Sequence, residues 1–383
     1  GEVASPELRE CEMLLSVLHS NRSAALLQLG LPERAYQDAQ RCLSLTPNWP
    51  KGYLREGKAL QAQGRSDDAF LAFGRALRLS KSDSEAFRCQ EQCLLDFRFW
   101  RTPRLRSLGN RFSLDSSRPQ GQSRVFAISD ILMSQPGAVT WLKGISGKAF
   151  REDVLVLAGN LGDSLAQLRL GLSILRGKFR RVCFVPGNHE LWVQPAEAQE
   201  LPCSMSKFVA MLKLCEELSV DVMPIAVSEN VFIVPLYSWH SRDGLPHDRS
   251  NYKFDTLCRW PHMDDEKVWS YFTQLNHRFL ELPLFGDVLS FSAFAPKRSL
   301  PTSSSAAAGE ENFVCCPALD HQLRAVRSRL HVYGRTGVRH LGTEDGVTYV
   351  HHSLGGSEDH LPDHPLMCIH DGHRICATKV PVA

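Results

Sequence analysis

A chain of 383 residues with 43% apolar and 22% charged residues is long enough for two or three domains with sizeable cores. Its formal net charge of +2 gives no global attraction to nucleic acid or acidic membrane surfaces, and no apolar run reaches the roughly 20 residues of a membrane span. The 12 cysteines stand singly apart from Cys315-Cys316, without C-x-x-C spacing, so free thiols in a reducing, cytoplasmic compartment are expected rather than a zinc module or disulfide scaffold.

Shifting the first hundred residues by 34 aligns Ala25 with Ala59, Leu26 with Leu60, Gly30 with Gly64, Ala35 with Ala69 and Leu45 with Leu79. Each unit reads as helix, glycine turn, helix: residues 21–30 then 32–45, and 54–64 then 66–79. That period and pattern describe tetratricopeptide repeats. Part of a third repeat is expected before residue 20, and residues 82–100 read as a solvating cap helix. The repeat domain is thus predicted over 1–99.

The same shift maps Asn21 onto Arg55, and Lys51 lies one turn before Arg55 on the same face. First helices line the concave groove, where these three side chains converge. HSNRSAALLQLG and KGYLREGKALQAQG resemble the carboxylate-clamp repeats of chaperone adaptors. The resemblance implies that Asn21, Lys51 and Arg55 bind the terminal carboxylate of a partner protein. That partner is expected to be a heat-shock chaperone ending Glu-Glu-Val-Asp, held by charge-assisted hydrogen bonds. The family's further Lys and Asn fall before or near residue 1. The plainer reading is two basic residues on a solvated helix. Residues 100–123, rich in Arg, Ser, Pro and Gly, are predicted to be a linker.

From 124 onward short β-rich runs appear: RVFAIS, DVLVLA, RVCFVP, NVFIVP, DVLSFS, LHVY and GVTYVH. Helical stretches such as SLAQLRLGLSILRGKF separate the early ones. The alternation predicts an α/β domain over 124–355 with buried strands, whose strand-end loops carry any chemistry. Residues 356–383 read as a His-rich tail. His351, His352, His360, His364, His370 and His373 fall in the last 33 residues, interspersed with Pro, Gly and acidic residues. That spacing favours a polar tail over a zinc site.

The strand ends carry, in order, Asp130, Gly159-Asn160, Gly187-Asn188-His189-Glu190, Ala293, and Gly334-Arg335-Thr336-Gly337. In this order and spacing they resemble the calcineurin-like metallophosphoesterase superfamily, and PGNHELW is the most specific piece. PLYSW (235–239), the stretch with Phe254, Asp255 and Cys258 to Pro261, and SFSAF are similar to one branch, which reads Ser-Phe-Ser-His-Phe at the last. The resemblance implies a β-sandwich flanked by helices, within an overall α/β chain that begins with a helical repeat solenoid. It also implies two divalent metals about 4 Å apart with a bridging aspartate. Two dications at that spacing repel by on the order of 15–20 kcal/mol at an effective dielectric of about 20, so an anionic bridge and further N/O ligands are required.

Carried over position by position, Asp130 and Asn188 match metal ligands, and His189 matches the histidine that stabilises developing charge. Leu132, Asn160, Ala293, Arg335 and Gly337 occupy the remaining ligand positions, so five of seven are lost, including the bridge. Leu and Ala cannot ligate a metal. The residues kept are then vestigial, and no cofactor is expected; the alternative is one divalent Mn, Fe or Zn ion. Asp163, His240, His331 and His340 are candidate replacement ligands. The Arg335 guanidinium is expected to occupy the emptied pocket and pair with Asp130. Three functions follow: an inactive phosphoesterase-like scaffold beside a peptide-binding repeat domain, a divergent metal-dependent phosphoesterase, or a phosphate or nucleotide binder without turnover.

Overall fold

The computed structural model describes residues 6–80, 83–94, 123–241, 255–260, 267–302, 315–355 and 364–382. The chain divides into two compact units, Gly1–Pro103 and Arg104–Ala383. Of the predicted linker, residues 100–122 lie outside the described residues.

The first unit is built of α1 (Pro6–Gln28), α2 (Pro32–Leu45), α3 (Pro50–Ala62), α4 (Ser66–Leu79) and α5 (Ser84–Leu94). Prolines open α2 and α3, where the missing N–H leaves no hydrogen bond unmade. Gly30 and Gly64 take φ of +70° and +73°, the left-handed conformation that ends a helix without a Cβ penalty. Each is followed by the same bond, Leu31 N–H to the Leu26 carbonyl and Arg65 N–H to the Leu60 carbonyl, both at 2.9 Å.

Small residues let the helices close on one another: Ala35, Ala39, Ala59, Ala69 and Ala76 are fully buried. Arg22 on α1 forks onto the buried Asp38 of α2 with two bonds of 2.6 Å. One expectation fails here. Residues 6–20 are not a piece of an earlier repeat; α1 runs unbroken from Pro6 to Gln28, so they are the first half of the first helix.

The second unit holds two sheets. β1 (Val125–Ile128), β2 (Val154–Ala158) and β3 (Arg181–Val185) run parallel, and β10 (Leu366–His370) and β11 (Ile375–Val380) complete the order β11-β10-β1-β2-β3. The other sheet has the order β4-β5-β6-β7-β9-β8. It comprises β4 (Ile225–Ser228), β5 (Val231–Pro235), β6 (Asp287–Phe291), β7 (Leu330–Tyr333), β8 (His340–Glu344) and β9 (Val347–His351). β5, β6, β7 and β9 are parallel neighbours. Their continuous apolar runs are those of strands covered on both faces. The sheets are joined where β1 and β9 end, by a parallel bridge between Ser129 and Ser353.

The seven runs read as strands correspond to β1, β2, β3, β5, β6, β7 and β9. The predicted polar tail is a correction. Residues 364–382 supply β10 and β11, and Leu366–His370 is buried throughout because β10 pairs antiparallel with β1. His352, His364 and His370 are buried with it. His360 lies outside the described residues.

Close packing in the repeat unit is open to measurement. A Cβ on Gly57 would lie 2.4 Å from the ring of the fully buried Phe73. Gly57→Ala gains up to about 1 kcal/mol of helix propensity but overpacks a core site at about 1–3 kcal/mol. A net loss of stability is expected, read as a lower urea midpoint by far-ultraviolet circular dichroism. A midpoint that rises would show that α3 and α4 do not approach this closely.

Candidate functional site

The ends of β1, β2, β3, β7 and β9 converge. Asp130 follows β1 and is 8% exposed. Its Oδ1 accepts the Asn160 side-chain amide at 2.8 Å, and its Oδ2 accepts the Ser129 hydroxyl at 2.8 Å and the Arg335 backbone N–H at 3.0 Å. His351 Nε2 lies 3.3 Å from the same oxygen. The other ring nitrogen of His351 faces the Val338 carbonyl at 2.5 Å. Both partners are acceptors, so both bonds form at once only in the imidazolium. Burial pushes the Asp130 carboxyl up, but the His351 bond and charge, with the Arg335 and Asn160 donors, hold it below its ordinary value.

Asn160, Leu132 and Arg335 join Asp130 in taking positive φ, between 50° and 66°. These are conformations that non-glycine residues rarely adopt. The loop of Asn160 is held by Glu190, which is fully buried. Its two oxygens accept the backbone N–H groups of Asn160, Leu161, Gly162 and Gly187 at 2.6–3.1 Å. Burial pushes this carboxyl up, and the amide donors pull it back. Glu190 therefore clamps the loop after β2 to the loop after β3.

A second carboxylate, Asp255, is held by the short segment 255–260, where Leu257 and Arg259 carbonyls accept the Val193 and Ser204 N–H groups. Asp255 accepts from Asn188 at 3.2 Å, lies 2.7 Å from His240 Nε2, and is 3.5 Å from an Arg335 guanidinium nitrogen. Burial pushes Asp255 up, yet the Arg335 charge and the His240 bond hold it far below the usual carboxylate range.

The expected Arg335–Asp130 guanidinium pair is therefore corrected. The backbone N–H of Arg335 reaches Asp130, while its guanidinium lies 5.0 Å from the Phe294 ring centre and pairs with Asp255. At Arg335 φ is +66°, and the main chain is turned towards one carboxylate as the side chain leaves for the other.

The candidate replacement ligands are placed elsewhere. Asp163 bonds His189 Nδ1 at 2.7 Å, and the His189 ring lies 3.8 Å from Trp192. His240 is on Asp255. His331 is sealed between the Ser290 and Ser292 hydroxyls at 2.7 and 2.9 Å. His340 lies on the edge strand β8. Among the described residues no group of three or more His, Cys, Asp or Glu side chains is arranged to hold a metal ion.

The donor set does not fit a two-metal centre either. A bridge must offer anionic oxygen to both ions, whereas Asn160 turns its NH2 towards Asp130 and its Oδ1 towards the His189 N–H at 3.4 Å. Flipping the amide would set oxygen against carboxylate. Ala293 is packed against Gly159, where a Cβ would come within 2.8 Å of the Ala293 Cβ. Among the described residues, polar atoms buried in this region without a hydrogen-bond partner include Asn188 Oδ1 and one Arg335 guanidinium nitrogen.

Sequence reasoning gave no role to Asp255, His351 or Glu190. Asp255 and Glu190 fall within the motifs above; His351 ends the predicted strand GVTYVH, and its partner Asp130 comes from β1, more than two hundred residues away.

In the repeat unit, Asn21 is exposed on α1, Lys51 exposed and Arg55 half-buried on α3, and α1 packs on α3. Arg55 Nε is buried without a hydrogen-bond partner among the described residues. One repeat further on, the positions of Lys51 and Arg55 hold Glu85 and Cys89, and Glu85 pairs with Lys58.

No protein-family model matches the chain. Over its N-terminal part it is 46% identical across 61 residues to Tetratricopeptide repeat protein 28 of Homo sapiens, covering 16% of this chain and 2% of that one. It is 41% identical across 69 residues to the Protein STIP1 homolog of Dictyostelium discoideum, covering 18% and 12%. A 69-residue match of 30% identity links it to the [Acyl-carrier-protein] phosphodiesterase PptH of Mycobacterium tuberculosis, covering 18% of this chain and 21% of that one. The crystal structure of that Phosphopantetheinyl Hydrolase superposes with a TM-score of 0.53 at 18% identity, over 62% of this chain and 91% of the other. The chain thus spans between 2% and 21% of the length of these curated relatives. It carries a tetratricopeptide-repeat module joined to a unit with a metallophosphoesterase-type fold like that of PptH.

Two outcomes are expected here. Glu190→Gln replaces an acceptor oxygen by NH2 facing two backbone N–H groups, and should cost about 2–4 kcal/mol; an unchanged urea midpoint would show that the clamp is dispensable. For pH, the aspartates Asp130, Asp163 and Asp255 are held low. They add stability above about pH 3.9 and lose it only below. His331 and His352 are buried neutral, pushed down to about 3 and about 4. Their contribution is full above about pH 6.5 and falls as pH drops, each by up to about tenfold in unfolding constant per unit. The urea midpoint should therefore decline already between about pH 6.5 and 4. A midpoint flat across that range would refute the neutral buried histidines.

Proposed function

We propose that the second unit is a phosphoesterase fold without hydrolytic activity that serves as a binding or scaffolding module. We further propose that the repeat groove binds the C-terminus of a partner protein in the cytoplasm. The observation that carries the first part is the Asn160 amide donating to Asp130 at 2.8 Å, in the place where two-metal chemistry needs an anionic bridge. Leu132, Ala293 and Gly337 at further ligand positions support it. The second part is supported by the repeats, by their similarity to the STIP1 homolog, and by Asn21, Lys51 and Arg55 at equivalent or adjacent places on α1 and α3. A terminal carboxylate supplies the acceptor that Arg55 Nε lacks among the described residues, and charge-assisted bonds of this kind are the strong ones. A heat-shock chaperone tail ending Glu-Glu-Val-Asp has that chemistry.

A second reading, binding of phosphate or nucleotide without turnover, is favoured by the unpartnered Arg335 nitrogen. Phosphate would then raise the melting temperature of the chain but not of Arg335→Ala.

Two measurements test the main proposal. Protein exposed to manganese, iron and zinc is expected to retain no stoichiometric metal and not to hydrolyse p-nitrophenyl phosphate or its bis ester. Turnover abolished by Asp130→Ala would instead establish a divergent hydrolase. A labelled peptide ending Glu-Glu-Val-Asp should bind, and Arg55→Ala should weaken it about tenfold or more, the worth of one charge-assisted bond. Equal binding of the C-terminally amidated peptide would refute the carboxylate clamp.

A further inference from the structure

The C-terminal hairpin carries chemistry that neither the groove nor the strand-end site uses. β10 and β11 are antiparallel, with Cys368 opposite Thr378 and His370 opposite Ile375, and the register shifts between these pairs. The irregularity draws Cys376 alongside Cys368. Their sulfurs are 3.7 Å apart, and the Cys376 thiol also approaches the Cys368 carbonyl at 3.4 Å. Cys368 is 4% exposed, and Cys376 is half-buried on the outermost strand of the sheet. Cys376 is thus the more exposed residue of the pair.

We propose that Cys368 and Cys376 are a dithiol modification site that takes a low-molecular-weight disulfide as its oxidant and closes to an intrachain bridge. The Cys376 thiolate attacks one sulfur of the reagent and expels one small thiol. Cys368, deprotonated, then attacks the Cys376 sulfur and expels the second. Two protein thiols and one small disulfide become one protein disulfide and two small thiols, with two electrons passing to the reagent. The sulfurs must close from 3.7 Å to about 2.05 Å, a shift that side-chain rotation between paired strands supplies. Burial pushes the Cys376 thiol up, and Cys368 up to about 12. Exchange is therefore slow at neutral pH and speeds up in alkali. The bridge would tie β11 to β10, and β10 is the strand that pairs with β1 ahead of Asp130.

The test treats the full chain with glutathione disulfide at about pH 8, near the ordinary thiol pKa, alkylates free thiols and digests with trypsin without reduction. Arg374 lies between the two cysteines, so a bridge appears as two peptides joined by sulfur that separate on reduction. Exposed Cys11 reports that the reagent was active. The expected result is the joined pair in the wild type, and in Cys368→Ser a Cys376–glutathione mixed disulfide in its place. Alkylation of both sulfurs while Cys11 is glutathionylated would overturn the proposal. So would cross-links from either cysteine to others in preference to one another.

Discussion

Asp130 stands 8% exposed at the end of β1, where an unpaired carboxylate would cost several kcal/mol. Four groups surround it, and they come from four strand ends: Ser129 after β1, Asn160 after β2, Arg335 after β7 and His351 at the end of β9. Two of these strands belong to one sheet and two to the other. Satisfying one carboxylate therefore requires both sheets to meet at their carboxyl ends. The bridge between Ser129 and Ser353 does this in the backbone, and Asp130 does it in the side chains.

The loops around Asp130 approach one another closely. A Cβ at Gly187 would sit 2.1 Å from Asn160 Oδ1, and one at Gly334 would sit 2.5 Å from the Ala158 carbonyl. Glu190 ties the loop of Gly187 to that of Asn160. Such positions resist substitution for reasons of packing alone. The motif PGNHELW is legible because its glycine and its buried glutamate are structural.

Much of the fold was legible. The 34-residue shift set both turn glycines and the ends of α2 and α4, because these depend on neighbours within a few residues. Seven strands were legible as apolar runs. Those missed were β4, the exposed edge β8, and β10 with β11. In LMCIH the apolar run was masked by the histidines, prolines and acidic residues around it, and its burial comes from β1, more than two hundred residues away in sequence. Asp130, Asn160, Asn188 and His189 were singled out through the resemblance to metallophosphoesterase motifs, and the fold brings them to neighbouring strand ends. Asp255 and His351 were not, since their roles arise only where distant strands meet.

The distribution of charge explains why Arg335 leaves Asp130 for Asp255. Asp130 Oδ2 already receives a hydroxyl, a backbone N–H and His351, and its Oδ1 receives the Asn160 amide. A guanidinium there would meet an Oδ2 that already has three partners. Asp255 offers acceptor capacity beside His240 and Asn188, and Phe294 offers an aromatic face at 5.0 Å, a contact worth about 0.5–2 kcal/mol for a partly desolvated cation. Arg335 thus pairs with Asp255, while Asp130 is met by the His351 ring, the Asn160 amide, the Ser129 hydroxyl and a backbone N–H. At the end of β2 the neutral Asn160 donates to Asp130 at 2.8 Å, and an aspartate in its place would set a second carboxylate against Asp130.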